Sequence, residues 1–261
     1  MKAVILCGGR GTRIRDASEV LPKSMLPVGN MPLLWHIMKI YAHYGIKDFV
    51  LCLGYKGWAI KEFFLNYQAK VFDVVLKLDK ENSIIYGQNH HEKLDWKISL
   101  VETGEESQTG ARIWNARKYL EDCDMFCVTY GDGVGNIDIK SLIEVHKKSG
   151  LLGTITGVHP SGRFGEIETK GKIISSFAEK PNVSFGSYNG GFMVFDRKVL
   201  GKYFRSGKDL ILEAETLPNM VNDKQLGIYE HNGFWQCVDT NRELEILEGL
   251  WNSSNPPWKV W

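Results

Sequence analysis

Apolar residues recur in two alternating rhythms through the first half of this chain. Lys2–Leu6, Asp48–Leu53 and Met125–Thr129 are short apolar or β-rich runs, the pattern of strands. Between them Leu33, Leu34, Ile37, Ile40, Tyr41 and Tyr44 repeat at helical spacing across Pro32–Tyr44 and stop at Gly45. Gly57–Tyr67 and Ile139–Ser149 read as two further helices. Such alternation predicts an α/β fold with a Rossmann-like, mostly parallel mixed sheet flanked by helices on both faces. After residue 150 the rhythm changes. Leu152–Val158, Gly165–Thr169, Ile173–Phe177 and Gly190–Phe195 are short strands with little helix between them, which predicts a smaller β-rich extension of the same sheet instead of an independent domain. Ser206–Asn222 reads as a helix with a ragged start, and Leu244–Trp251 as another.

Composition narrows the setting. The chain has 261 residues, 43% apolar and 24% charged, with a formal net charge of +1. No overall field draws it to nucleic acid or an acidic membrane, so any anion binding is local. No run reaches the ~18 apolar residues of a membrane span. Met1-Lys2 opens a short apolar run that ends at glycines, which reads as no signal peptide. The five scattered cysteines, Cys7, Cys52, Cys123, Cys127 and Cys237, suit buried thiols in a reducing compartment, and a cytoplasmic location is expected. Trp258 and Trp261, in the tail from Asn255, want burial, on this chain or on a neighbouring subunit.

The chemistry begins where the first strand runs into a glycine-rich basic loop. Gly8-Gly9-Arg10-Gly11-Thr12-Arg13 is followed by Leu21-Pro22-Lys23. Glycines let the backbone turn tightly and present its N–H groups to an anion. Arg13 adds a planar fork of donors and Lys23 a mobile point charge. The combination suits a triphosphate. It is not a Walker A loop, since no Gly-Lys-Ser/Thr triplet follows, and Ile14 stands where a dinucleotide fingerprint needs its third glycine. Read alone, the loop is also compatible with a plain β-to-α turn.

Further polar groups gather at strand ends, the edge where ligands collect in such folds. Asp132, between Gly131 and Gly133, is either a turn former or a ligand for Mg²⁺. Asp239 either caps the helix after it, a task Thr240 can also perform, or supplies a second carboxylate. Two such carboxylates beside a phosphate loop favour a metal–triphosphate site. Glu179-Lys180-Pro181 is either a solvated pair or a carboxylate for sugar hydroxyls beside an ammonium for phosphate. Asn189 and Gly190 bring an amide and bare backbone toward a small ligand. The loop from Thr103 to Arg112 is either an exposed acidic loop with Thr109 as N-cap or a cover over a base or ribose. The histidines show no metal spacing and are assigned no chemistry.

Taken in order, Gly-Gly-x-Gly-Thr-Arg, Pro-Lys, Gly-Asp, Glu-Lys-Pro, Asn-Gly-Gly and Asp-Thr resemble the motif series of the sugar-phosphate nucleotidylyltransferases, from Leu6 to Thr240. Gly54-Tyr55-Lys56-Gly57, Gly131-Asp132-Gly133-Val134, Gly162-Arg163-Phe164-Gly165, Gly233-Phe234-Trp235-Gln236 and Pro257-Trp258-Lys259 are most similar to the branch of that family that uses CTP. The resemblance implies the nucleotide-diphospho-sugar transferase fold as one domain over 1–261. In it, residues 1–150 form the nucleotide half, 151–240 the sugar-phosphate half, and 241–261 a C-terminal helix and tail. It implies CTP and α-D-glucose 1-phosphate as substrates, CDP-glucose and pyrophosphate as products, Mg²⁺ as cofactor and a homo-oligomer. It also implies roles. Leu6, Gly8, Gly9, Gly11, Thr12 and Arg13 would meet the triphosphate, and Thr103, Thr109 and Arg112 the nucleoside. Gly131 would meet substrate, and Asp132 and Asp239 would hold the metal. Glu179, Lys180, Asn189 and Gly190 would meet the sugar phosphate, with Arg13, Lys23 and Asp132 the catalytic set. A different phosphorylated acceptor, or a non-catalytic nucleotide-sensing subunit, are the alternative readings.

Overall fold

The computed structural model describes residues 1–9, 21–78, 83–87, 94–159, 166–170, 173–178 and 187–261, with the backbone alone for 166–170 and 173–178. Seven strands make the central sheet: β1 Ala3–Leu6, β2 Asp48–Leu53, β3 Lys97–Glu102, β4 Met125–Tyr130, β5 Gly153–Val158, β6 Tyr188–Asp196 and β7 Leu226–His231. Their order in space is β3-β2-β1-β4-β6-β5-β7. Neighbours run parallel except at β6, which lies antiparallel between β4 and β5. The sheet is therefore the mostly parallel mixed one expected, and three strands of the second half extend it.

Side chains alternate across a strand, and in β1 both faces are apolar because both are covered. Ala3 and Ile5 join Phe49 and Leu51 under helix α1, Leu33–His43, whose Leu33, Leu34, Ile37, Met38, Ile40 and Tyr41 are fully buried. Val4 and Leu6 join Val50 and Cys52 on the other face, against Ala111 and Ile113 of a helix spanning Thr109–Asn115. The helix Ile139–Ser149 matches its sequence reading at both ends. Asp138 caps it by accepting the Ser141 N–H, and Gly150, at φ +67°, closes it in the left-handed conformation.

Four readings are corrected. The helix expected over 57–67 ends at Leu65, and a separate turn of helix covers Tyr67–Val71. The ragged helix over 206–222 begins only at Leu212, as a π-helical turn to Thr216 that passes into Leu217–Asn222. Gly207, at φ +131°, cannot continue a helix back toward residue 206. Glu166–Lys170 and Ile173–Ala178 pair with each other as a separate hairpin outside the main sheet. Thr109 is the first residue of its helix and not its cap, a place held by Gln108.

The tail finds its burial on this chain. Trp258 has no exposed surface and stacks at 5.7 Å on Phe234 and at 6.3 Å on Trp251. All five cysteines are free and four are buried. Among the described residues no helix is long and apolar enough to cross a membrane.

Candidate functional site

β1 and β4 are paired up to Leu6 and Tyr130, and beyond them both chains leave the sheet where the strand order reverses. Cys7 still donates its N–H to the Cys52 carbonyl, and Gly131 to the Leu6 carbonyl. A Cβ at position 131 would stand 3.0 Å from that carbonyl oxygen, so the two turns are close-packed. Gly8, Gly9, Gly131 and Asp132 thus line one edge of a cavity of about 220 Å³, with Leu6, Lys23, Gln108, Thr109 and Arg112 on its other walls.

Arg112 ties this edge together. Its Nη1 donates to the carbonyls of Leu53 and Gly104 and to Thr103 Oγ1, and its Nη2 to the carbonyls of Gly8 and Glu105, at 2.8–3.2 Å. Thr103 is buried behind it, its hydroxyl donated at 2.6 Å to the Leu53 carbonyl. Thr103 therefore braces Arg112 from behind, and it is Arg112, not Thr103, that lines the cavity.

Lys23 opens a short 3₁₀ turn after Pro22. Its ammonium lies 2.5 Å from Asp239 Oδ1 and 3.8 Å from Asp132 Oδ2. The two carboxylates, far apart in sequence, are brought together by a ribbon in which Gly133–Gly135 pairs antiparallel with Trp235–Cys237. The Val238 N–H donates to the Asp132 carbonyl at 2.8 Å, just past that ribbon. Thr240 caps the helix Asn241–Asn252 through a capping box with Glu243, so the Asp239 carboxylate is not the cap.

A second cavity of about 590 Å³ adjoins the first. Asn189, Gly190, Glu213, Trp235 and Asp239 line it, and Thr109, Tyr130 and Asp132 line both. Tyr130 donates its hydroxyl to Glu213, while Thr109 donates at 2.6 Å to the other oxygen of that carboxylate. Burial, and next the Glu213 charge, push the Tyr130 phenol above its usual value, so it serves as a neutral donor.

Among the described residues no group of three acidic, histidine or cysteine side chains converges. Two carboxylates around one cation do converge, at Lys23. Mg²⁺ is commonly held by one or two carboxylates plus substrate phosphates, so this donor set fits it. Gly11, Thr12, Arg13, Glu179 and Lys180 lie outside the described residues. Tyr130, Glu213 and Trp235 were not marked by sequence reasoning as site residues. Tyr130 had a signal, as the last strand residue before Gly131-Asp132, whereas Glu213 had none.

A family model described as nucleotidyl transferase matches residues 2–244. The glucose-1-phosphate cytidylyltransferase of Salmonella typhimurium is 42% identical over 262 residues, covering all of both chains. A probable glucose-1-phosphate cytidylyltransferase of Bacillus subtilis is 40% identical over 261 residues, again covering all of both. A mannose-1-phosphate guanyltransferase of Schizosaccharomyces pombe is 30% identical, over 95% of this chain and 63% of its own. Among solved structures, HddC from Yersinia pseudotuberculosis superposes with a TM-score of 0.67 at 22% identity, over 96% of this chain and 99% of that one. A putative glucose-1-phosphate thymidylyltransferase from Bacillus anthracis does so with a TM-score of 0.63 at 20% identity, over 96% and 94%. At these identities the structural likeness establishes the fold.

Proposed function

We propose that this chain, which belongs to the nucleotidyl transferase family, makes CDP-glucose and pyrophosphate from CTP and α-D-glucose 1-phosphate. The observation that carries the transfer is the pair of adjoining cavities that share Asp132, with Lys23 and Asp239 beside it. The choice of base and sugar is supported by the full-length relatives named as glucose-1-phosphate cytidylyltransferases.

In this reading CTP occupies the smaller cavity and the sugar phosphate the larger, so that the two meet at the shared wall. An oxygen of the sugar phosphate attacks the α-phosphorus in line, and pyrophosphate leaves. A phosphate monoester has its second pKa near ~6 and is already mostly dianionic at neutral pH, so no general base is required. The protein's work is to hold two anions together and neutralise the charge that develops. The bare backbone at Gly8 and Gly9 lets phosphate approach closely. Lys23 supplies an ammonium at the meeting point, and Arg13 and Lys180 are proposed to complete the cationic set. Asp132 and Asp239 would hold Mg²⁺, which supplies electrostatic stabilisation between the phosphates. A cytoplasmic homo-oligomer belongs to the same proposal. The oligomer is supported by the exposed apolar side chains Val75, Leu76, Ile84 and Ile85 on the hairpin Val74–Leu76/Ile84–Tyr86.

Pyrophosphate release tests the reading, with glucose 1-phosphate, Mg²⁺ and each of CTP, UTP, dTTP, ATP and GTP in turn. Turnover with CTP far above the other four is expected. Turnover with another nucleotide alone would overturn the base assignment, and silence with all five would overturn the acceptor.

A further inference from the structure

Glu213 reaches the larger cavity from the π-helical turn Leu212–Thr216, a rare winding found often at functional sites. Its two oxygens receive hydroxyl protons from Tyr130 and Thr109. Each donor is itself aimed. Asn189 Oδ1 accepts the Gly191 N–H at 3.0 Å, which turns the amide nitrogen toward the Tyr130 oxygen at 3.4 Å. Thr109 Oγ1 accepts the Leu212 N–H at 2.9 Å, which leaves its own proton for Glu213. Two chains of donors therefore end on one carboxylate. A carboxylate offers about four lone-pair sites, and Tyr130 and Thr109 occupy only one on each oxygen.

We propose that Glu213 selects the acceptor by its hydroxyl groups, taking hydrogen bonds from the ring of a polyhydroxylated phosphate and leaving its phosphate to face Lys23 and Asp132. This deepens the function proposed above and rests on it. The direction follows from charge. A dianionic phosphate is repelled by the Glu213 carboxylate, whereas a hydroxyl gains a charge-assisted bond there. The opposite end holds the ammonium of Lys23 beside Asp132 and Asp239, the two carboxylates that would take Mg²⁺, and with that ion counted its net charge is positive. The acceptor is thus oriented by what each end of its cavity refuses as much as by what it binds. Because Tyr130 and Thr109 also line the nucleotide cavity, Glu213 stands at the partition between the two.

The test compares wild type, Glu213→Gln and Glu213→Asp, each checked for an unchanged melting curve. KM is measured for CTP, for glucose 1-phosphate and for a series of glucose 1-phosphates each lacking one hydroxyl. Wild type should lose about 10-fold or more in kcat/KM on at least one deoxy analogue. In Glu213→Gln the KM for glucose 1-phosphate should rise about 10-fold, that for CTP should stay within about 2-fold, and the penalty on the deoxy analogue should largely vanish. Glu213→Asp should restore part of it. Selectivity unchanged in Glu213→Gln, or both KM values rising together, would overturn the role of Glu213 while wild-type turnover leaves the transfer reaction standing. No turnover by wild type with glucose 1-phosphate would overturn the acceptor on which this role of Glu213 rests.

Discussion

Gly8 and Gly54 sit on either side of the Arg112 guanidinium, and an added Cβ would lie 2.2 Å from its Cζ at Gly8 and 2.3 Å from its Nη1 at Gly54. That guanidinium is buried and holds five acceptors, so it cannot swing aside as a free lysine tip would. Gly8→Ala should therefore break the bond to the Gly8 carbonyl, lower stability by about 1–3 kcal/mol and raise the KM for CTP. Denaturant midpoints and initial rates check both parts. Asp132→Asn keeps the shape but removes one charge beside Lys23, and kcat should fall by at least ~10² with the circular dichroism spectrum unchanged. A variant turning over at the wild-type rate would remove Asp132 from the reaction. Residues such as these are legible in sequence because residue type and close spacing carry the signal. The bracing part of Thr103 is not legible by the same reasoning, since a threonine in a polar loop gives no hint that an arginine nine residues on will claim its hydroxyl. Glu213 is illegible for a related reason, because its partners Thr109 and Tyr130 lie 104 and 83 residues away.

At the next scale, the C-terminal tail acts on α1 through His36. The ring donates from Nε2 to the Val28 carbonyl at 2.9 Å and accepts at Nδ1 from Trp258 Nε1–H at 3.4 Å. Trp251 adds an edge contact at 4.7 Å. Burial holds the folded pKa at about 4, against 6.5 for the ordinary group. A proton added at Nδ1 would set two N–H groups against each other. His36 is neutral in the fold and more basic in the unfolded chain, so its contribution is fully present above pH 6.5 and is lost as pH falls through 4. It amounts to up to about 3 kcal/mol. Burial lowers His146 and His231 in the same direction, so their contributions add. Urea midpoints from pH 7.5 down to 4 should show the decline, and His36→Gln should flatten it. Trp258→Ala should cost about 3–5 kcal/mol, read from the same midpoints at pH 7.5. Most elements are legible from periodicity, and Ile139–Ser149 is right to the residue because its cap and its terminal glycine are local signals. The ribbon joining Gly133–Gly135 to Trp235–Cys237 is not, since three-residue strands carry no usable period.

For the molecule as a whole, the sheet order places β1 and β4 side by side and inserts β6 antiparallel beside β4, which sets Asn189 and Gly190 opposite the glycine turns. Sequence reading anticipates the mixed sheet but not that insertion, which depends on which edge of β4 remains to be paired. A site built from both halves should couple them. CTP with Mg²⁺ at about 100 times its Kd should raise unfolding stability by about 2.7 kcal/mol, in one cooperative transition followed by calorimetry. Separate transitions, with only one shifted, would show that the halves melt independently. The clamp on α1 also has a consequence in time. His36 and Trp258 are 222 residues apart, and at ~5–20 residues per second a ribosome needs roughly 10–40 s to travel between them. Throughout that interval the segment carrying Lys23 exists without the partner that later pins it. Nascent chains that stop early should therefore be inert as well as unstable, and catalysis becomes a report that synthesis has passed residue 258.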